Sequence, residues 1–276
     1  MKKVLAVSGG IDSVVMLHLL KDEQPIVAHF DHGIRSNSGE DAAFVERLAK
    51  SYGLVFEVEH ARLGQDCSEA TARAARYIFL RKIAKKYDGA ICVAHHADDV
   101  LESIAINFIR GTGWRGLAPM NSENIERPLL DWRKSDIYKY ATEHQLHFRQ
   151  DQTNTEGDYL RNRVREKLRD LPKEVKRNLL DLYAKQSELL QEYSALLNEI
   201  FADIDFKHCP KYLMTDTPEE CAMEMMRFYL EKNEIALTRP QLKNCVEAVK
   251  KFASGKRLSL DREHFLEVGK YSFRVL

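Results

Sequence analysis

The stretch Val4-Leu5-Ala6-Val7-Ser8-Gly9-Gly10-Ile11-Asp12-Ser13 decides the fold of this chain. Its first four residues are an apolar run, which is typical of a strand buried on both faces of a sheet. The glycines break the run, and apolar residues at helical spacing follow over residues 12–21. Glycines let the backbone approach an anion closely, and the start of a helix offers it unpaired N–H groups. The stretch therefore predicts a phosphate-binding loop made of Ser8, Gly9, Gly10, Ile11, Asp12 and Ser13; the alternative is an ordinary tight turn.

Outward from this loop, the first half of the chain alternates strand and helix patterns. Strand patterns occupy residues 26–30, 54–58 and 90–94, and helix patterns occupy 38–52, 69–87 and 97–110. Strands separated by helices form right-handed βαβ units and a parallel sheet. We expect a Rossmann-like α/β domain over residues 1–170, with helices on both faces of the sheet.

The second half changes character. Apolar residues recur every three or four positions over 179–200, which predicts a long amphipathic helix in a linker over residues 171–205. That helix fits either a homodimer interface or a rigid linker within a monomer. A small, mostly helical α+β domain is expected over 206–276, with helices near 219–232 and 240–252, a loop at 210–218 and three short closing strands.

Composition narrows the class of protein. The 276 residues hold 42 basic and 42 acidic side chains, which excludes a uniformly basic nucleic-acid-binding coat but not a local basic patch. Five cysteines and no C-x-x-C argue against a disulfide framework, a zinc finger or a cysteine-bound cluster. No apolar run approaches the ~20 residues of a membrane span. We expect a reduced, cytoplasmic protein with no membrane partner.

Two acidic side chains stand out after the strand pattern at 90–94. Asp99 and Glu102 are three positions apart, so both carboxylates lie on one face of the helix that follows. Two acids facing a crevice would attract an ammonium group or Mg²⁺, whereas the alternative is a solvated helix face. The block from His29 to Arg35 also ends a strand pattern, where parallel sheets form their ligand crevice. A metal site there is less favoured than a polar loop.

Arginines form two further candidate groups. Gly111, Gly113 and Gly116 match G-x-G-x-x-G, but they follow a helix rather than a strand, which argues against a dinucleotide site. We expect a loop that presents Arg110 and Arg115, since arginine suits the charge on transferring phosphates.

A basic stripe is the second group. Arg161, Arg165 and Arg169 recur every four residues on one helix face, beside Arg163. The stripe suits an RNA backbone, and the alternative is a solvated helix.

The loop Ser8-Gly9-Gly10-Ile11-Asp12-Ser13 resembles that of the PP-loop ATP pyrophosphatases, which cleave ATP to AMP and pyrophosphate. The segments Asp31-His32-Gly33-Ile34-Arg35, His95 to Glu102, Arg110 to Leu117 and Tyr159 to Arg165 extend the likeness. Together they resemble the tRNA(Ile)-lysidine synthetase family over residues 1–172, and more weakly beyond.

The resemblance implies a ligase that joins lysine to C2 of the wobble cytidine of a CAU-anticodon tRNA(Ile). ATP and Mg²⁺ would be needed, an adenylated cytidine would form, and AMP and pyrophosphate would be released. Asp12 would bind Mg²⁺ or accept a proton, Asp99 and Glu102 would bind free L-lysine, and Arg110 would stabilise charge at the α-phosphate. The tRNA would be held by Arg115, Arg161, Arg163 and Arg165. The alternatives are a tRNA 2-thiolation enzyme of the same superfamily and a non-catalytic ATP-binding module.

Overall fold

A computed structural model gives the fold and describes residues 1–33, 38–61, 64, 67–122, 124–149 and 159–276. The chain divides into two compact units, Met1–Ser187 and Glu188–Leu276. No helix in these described ranges is both long enough and apolar enough to cross a membrane.

The first unit alternates strands and helices as the sequence predicts. Its strands are β1 (Lys2–Ala6), β2 (Ile26–Asp31), β3 (Val55–His60), β4 (Gly89–Cys92) and β5 (Ile125–Glu126). Its helices are α1 (Ile11–Leu20), α2 (Ser38–Ser51), α3 (Glu69–Tyr87), α4 (Ala97–Ile109), α5 (Lys134–Glu143) and α6 (Tyr159–Arg169). Helix α7 (Lys173–Ile200) contains the boundary between the units.

A five-stranded sheet organises this unit, in the order β3-β2-β1-β4-β5. Each pair of neighbouring strands is parallel, with Val4 opposite Ile26 on one side and Ile91 on the other. Strand β1 lies in the middle, so the loop that follows it lies at the centre of the carboxyl edge, where open α/β sheets bind ligands.

Alternation along β1 builds a core on each face of the sheet. Leu5 packs in a cluster with residues of α1, α2 and α5, whereas Val4 packs in a cluster with residues of α3. Both side chains are fully buried. The prediction of a parallel sheet with helices on both faces is therefore confirmed.

The structure also holds elements that the sequence patterns did not predict. Strand β5 has only two residues, and α5 follows it where no helix was expected. The expected loop at 210–218 contains the short helix α8 (Tyr212–Thr215). Pro172 lies between α6 and α7, consistent with a break there, because proline cannot continue a helix interior.

The second unit combines helices with a small antiparallel sheet. Its further elements are β6 (Cys209–Pro210), α9 (Glu219–Lys232), α10 (Arg239–Lys251), β7 (Lys256–Ser259), β8 (Phe265–Val268) and β9 (Ser272–Val275). The sheet order is β6-β9-β8-β7. Tyr229 is buried in the core of this unit. Its hydroxyl donates to the Phe206 carbonyl oxygen at 2.9 Å and accepts from the Val275 amide at 3.0 Å.

Candidate active site

The loop between β1 and α1 is shaped by Gly9 and closed by Ser13. Gly9 has φ +93°, a conformation that favours glycine, and an added Cβ would lie 3.4 Å from Phe44. The Ser13 hydroxyl accepts from the Ser8 and Gly9 amides at 3.1 and 3.2 Å and donates to the Gly10 carbonyl oxygen. Helix α1 starts at Ile11, so the positive end of the helix dipole points into the loop. This arrangement can hold a phosphate group.

Asp12 forms an ion pair with a lysine that the sequence patterns did not identify. The Nζ of Lys134, the first residue of α5, lies 2.6 and 2.8 Å from the two carboxylate oxygens of Asp12. The Lys134 backbone amide donates to Asp98 at 2.8 Å, which fixes the start of α5 against the start of α4. Lys134 thus places a cation beside the predicted phosphate loop.

The start of α4 brings a second acid close to Asp12. The His96 amide donates to the Asp99 carboxylate at 3.0 Å in a capping box, and the His96 ring Nε2 lies 3.5 Å from Asp99 and 3.8 Å from Asp12. Burial raises the pKa of Asp99 above its ordinary value, with the Glu102 and Asp12 charges acting in the same direction. A cation that binds between these acids would favour their charged forms.

Glu102 faces the arginines of α6. Its side chain is 5% exposed, and both its oxygens accept from Arg165, at 2.7 and 3.1 Å. The Arg161 Nε donates to the same carboxylate at 3.2 Å. The acid pair and part of the basic stripe, predicted from separate segments, therefore form one charged cluster.

A cationic group lies around His95 at the same edge of the sheet. Burial, with smaller contributions from the charges of Arg127, Arg73, Arg76 and Arg161, lowers the pKa of His95 to about 3. The Arg127 Nη1 donates to the Ile125 carbonyl oxygen at 3.0 Å. His95 is therefore neutral near pH 7, in surroundings that favour an anion.

The block that ends β2 is held by hydrogen bonds. Asp31 accepts from the Gly33 amide at 2.9 Å, and the ring of His60 lies 3.0 Å from its other oxygen. His29 is buried with its Nδ1 2.8 Å from the Val7 carbonyl oxygen. Arg35 lies outside the described residues. Within the part of the chain that is described, no group of three or more His, Cys, Asp or Glu side chains could hold a metal ion.

The structure does not bring all the predicted arginines to this cluster. Arg110 caps the far end of α4, eleven residues and about 16 Å along the helix from Asp99. Arg115 follows in a 3₁₀ turn, over the ring of Trp114. Arg163 is exposed on α6. The roles of these three arginines stay predictions.

Residues 1–171 match the model of the PP-loop domain family. This match covers more than half of the 276 residues, and the chain therefore belongs to the PP-loop domain family, whose model is that of an ATP-binding domain.

Curated relatives of the chain are named as one specific enzyme. The chain is 38% identical over 187 residues to the tRNA(Ile)-lysidine synthase of Thermotoga sp. (strain RQ2), an alignment that covers 62% of this chain and 45% of the relative. It is 32% identical over 258 residues to the enzyme of the same name from Bacillus thuringiensis subsp. konkukian (strain 97-27), covering 85% and 54%. The chain thus spans about half the length of the curated relatives it matches.

A solved structure supports the fold. The U34-tRNA thiolase NcsA of Methanococcus maripaludis, described with its [4Fe-4S] cluster, superposes with a TM-score of 0.59 at 20% identity. The match covers 69% of this chain and 73% of that one. At this identity the likeness is one of fold.

Proposed function

We propose that this protein joins lysine to C2 of the wobble cytidine in a CAU-anticodon tRNA(Ile), using ATP and releasing AMP and pyrophosphate. The observation that carries the proposal is that the His96 ring lies 3.5 Å from Asp99 and 3.8 Å from Asp12 of the predicted phosphate loop. Glu102 follows Asp99 on the same helix. The curated relatives named tRNA(Ile)-lysidine synthase support the choice of substrates.

The chemistry proceeds in two steps. The cytosine O2 attacks the α-phosphorus of ATP, which forms a C–O–P linkage and releases pyrophosphate. The lysine ε-amine then attacks C2, and AMP departs with the oxygen. A positively charged environment at the loop supports the first step, because negative charge grows on the phosphate oxygens. Lys134 and the first turn of α1 supply that environment.

The second step needs a deprotonated amine in a fixed position. The ε-ammonium of free lysine has a pKa of ~10.4, so a group in the site must take up a proton, and a carboxylate that binds the ammonium can do so. Burial raises the pKa of Asp99, which makes it a better proton acceptor than an ordinary aspartate. Glu102, oriented by Arg161 and Arg165, would hold the second ammonium group of lysine.

Asp12 suits Mg²⁺ as a single carboxylate ligand. Mg²⁺ is usually bound by one or two carboxylates together with substrate phosphates and water, so a full set of protein ligands is not required. Asp12 would hold the ion with the phosphates of ATP, where the ion neutralises phosphate charge.

The tRNA contacts are proposed for Arg115, Arg161, Arg163 and Arg165. Arg165 uses its Nε and one Nη on Glu102, and a guanidinium group has further N–H donors for a phosphate. This double contact would couple lysine binding to the position of the anticodon loop.

A thiolation function has less support among the described residues. The buried thiols of Cys92 and Cys209 have pKa values raised by burial to about 12, which keeps them protonated. A protonated thiol is a poor nucleophile, so neither of these two residues is suited to carry sulfur.

The test incubates the protein with unmodified CAU tRNA(Ile), ATP, Mg²⁺ and radiolabelled lysine. We expect label in the tRNA that survives mild alkaline deacylation, together with one AMP per lysine joined. A tRNA with U in place of the wobble C is the matched control. AMP release without label would contradict the choice of lysine, and ATP binding without AMP release would favour a non-catalytic module.

Asp99→Asn and Glu102→Gln test the lysine assignment. We expect a higher KM for lysine in each variant and little change in the KM for ATP. An unchanged dependence on lysine in both variants would remove the lysine pocket from these acids.

A further inference from the structure

Helix α3 is strongly basic, and the function proposed above does not use this charge. Its 19 residues contain six basic side chains, Arg73, Arg76, Arg81, Lys82, Lys85 and Lys86, against one acid, Glu69. These basic residues lie on more than one face of the helix.

On one face of α3, the lysine charges are neutralised by acidic side chains of the sheet. The Lys82 Nζ lies 3.2 Å from Glu59 and the Lys86 Nζ lies 2.7 Å from Glu57, both acids of β3. The Tyr87 hydroxyl also donates to Glu57. These two lysines therefore have acidic partners within the protein.

The other face lines a groove of about 690 Å³ between α3 and the edge formed by β4 and β5. Arg73, Arg81 and Lys85 line it on the helix side, and all three are exposed. Among the described lining residues, Asp88 is the one acid. The described part of the chain shows no ion pair for Arg81 or Lys85, so the groove carries a net positive charge.

The groove leads to the edge of the sheet that holds the candidate active site. Helix α3 begins at the carboxyl edge and ends beside the start of β4, so Arg73 lies at the active-site end and Lys85 at the other, about 18 Å apart. The Arg73 guanidinium lies 5.0 Å from the centre of the buried Tyr77 ring, which helps to fix its position. Ile125 also lines the groove, and its carbonyl oxygen accepts from Arg127 of the cationic group around His95.

We propose that this groove binds the phosphodiester backbone of the RNA substrate, beyond the nucleotides that enter the active site. The proposal rests on the proposed function, since that function supplies the RNA. Exposed cations spaced along a helix that lines a groove suit a chain of phosphates. Such contacts give affinity and register without reading the RNA sequence.

The test compares two double variants on the same helix. Arg81→Gln with Lys85→Gln removes two groove charges, whereas Lys82→Gln with Lys86→Gln removes two charges that β3 already neutralises. Glutamine is a good helix former, so both variants should fold, which circular dichroism checks. Binding of fluorescently labelled tRNA is measured by anisotropy over a series of salt concentrations.

We expect the groove variant to lower the slope of log affinity against log salt by about 2, or about 1 for each cation removed from a phosphate. Its KM for tRNA should rise several-fold, while kcat at saturating tRNA and the KM for ATP stay unchanged. The control variant should keep the slope of the parent protein.

Equal slopes in the parent, groove and control proteins would overturn the proposal, as would equal reductions of the slope in both variants. A parent protein that binds tRNA with a groove-dependent slope but joins no lysine would support the groove and refute the proposed function. The two proposals can therefore fail separately.

Discussion

At Gly9 a single hydrogen atom in place of a methyl group sets the shape of the phosphate loop. Its φ of +93° is strained for any other residue, whereas an added Cβ would make only ordinary van der Waals contacts with Phe44 and Val45. Gly10 has φ −71°, and the nearest atom to an added Cβ is the Ser8 hydroxyl at 3.6 Å. We expect Gly9→Ala to lower the free energy of unfolding by about 1–2 kcal/mol and Gly10→Ala to leave it nearly unchanged. Urea unfolding measures both, and equal effects would contradict this view of the loop.

Lys134 offers a test of the charge beside the loop. Replacing it with methionine keeps the length of the side chain but removes the cation held 2.6 Å from Asp12. We expect kcat for AMP formation to fall by a factor of roughly 100, as when one preorganised charge-stabilising donor is removed. Lys139→Met is the control, because Lys139 is an exposed residue of the same helix, 3.9 Å from Glu143. Similar rates of AMP formation in both variants would show that Lys134 does not contribute to this step.

His95 gives the first unit a dependence on pH. Burial and the neighbouring arginine charges lower its pKa from 6.5 to about 3, so between these values the unfolded chain binds a proton that the folded protein does not. Stability is therefore fully present above pH 6.5 and is lost as the pH falls toward 3. Between pH 7 and pH 5 the loss should be about 2 kcal/mol larger in the parent than in His95→Asn. Tryptophan fluorescence during urea unfolding measures it, and parallel losses would refute the assignment.

Local sequence predicted the loop residues, but not the partners that complete the site. Ser8 to Ser13 could be identified because a strand, two glycines and a helix are contiguous. Lys134 and Asp12 are 122 positions apart in the sequence. The local sequence around Lys134 shows only a lysine near a short helix and does not indicate that it contacts Asp12. Such a contact depends on which strands are neighbours, and periodicity does not contain that information.

At the scale of elements, prediction worked where patterns were long. Helices α3 and α4 were expected at 69–87 and 97–110, close to their bounds of Glu69–Tyr87 and Ala97–Ile109. Strand β5 was missed because two residues cannot show a period of two. Helix α5 was missed because its apolar residues are few, with only Ile137 and Ala141 buried.

Exposed apolar side chains on helix α7 are the basis for proposing a homodimer. Val175, Leu182, Leu189 and Leu196 recur every seven residues and are 39–55% exposed. That spacing is typical of a seam between two like helices. We expect Leu189→Glu with Leu196→Glu to give a monomer by light scattering. Ala195→Glu, at an exposed position on a different face of the same helix, should leave the molar mass unchanged. A parent protein that is already monomeric would refute the dimer.

At the scale of the whole molecule, each unit has hydrophobic clusters of its own. The cluster around Met226 and Tyr229 contains residues of the second unit alone, and the clusters on the two faces of the parallel sheet contain residues of the first. We therefore expect the units to unfold in separable transitions.

Met226→Ala tests this separation. The side chain is fully buried, so its truncation should destabilise the second unit by about 2–5 kcal/mol. Both tryptophans, Trp114 and Trp132, lie in the first unit. The circular dichroism transition should then shift to lower urea while the fluorescence transition stays in place. A joint shift would mean that the chain unfolds as one cooperative body.

The bridge between Lys134 and Asp12 also implies an order of ligand addition. A bare divalent ion must compete with an ammonium group that already occupies both oxygens of the carboxylate. If Asp12 holds Mg²⁺ as proposed, a nucleotide that carries its own ion would offer Lys134 a phosphate in return, and two ion pairs would replace one. The protein should then bind the free ion weakly and the metal–nucleotide complex more tightly.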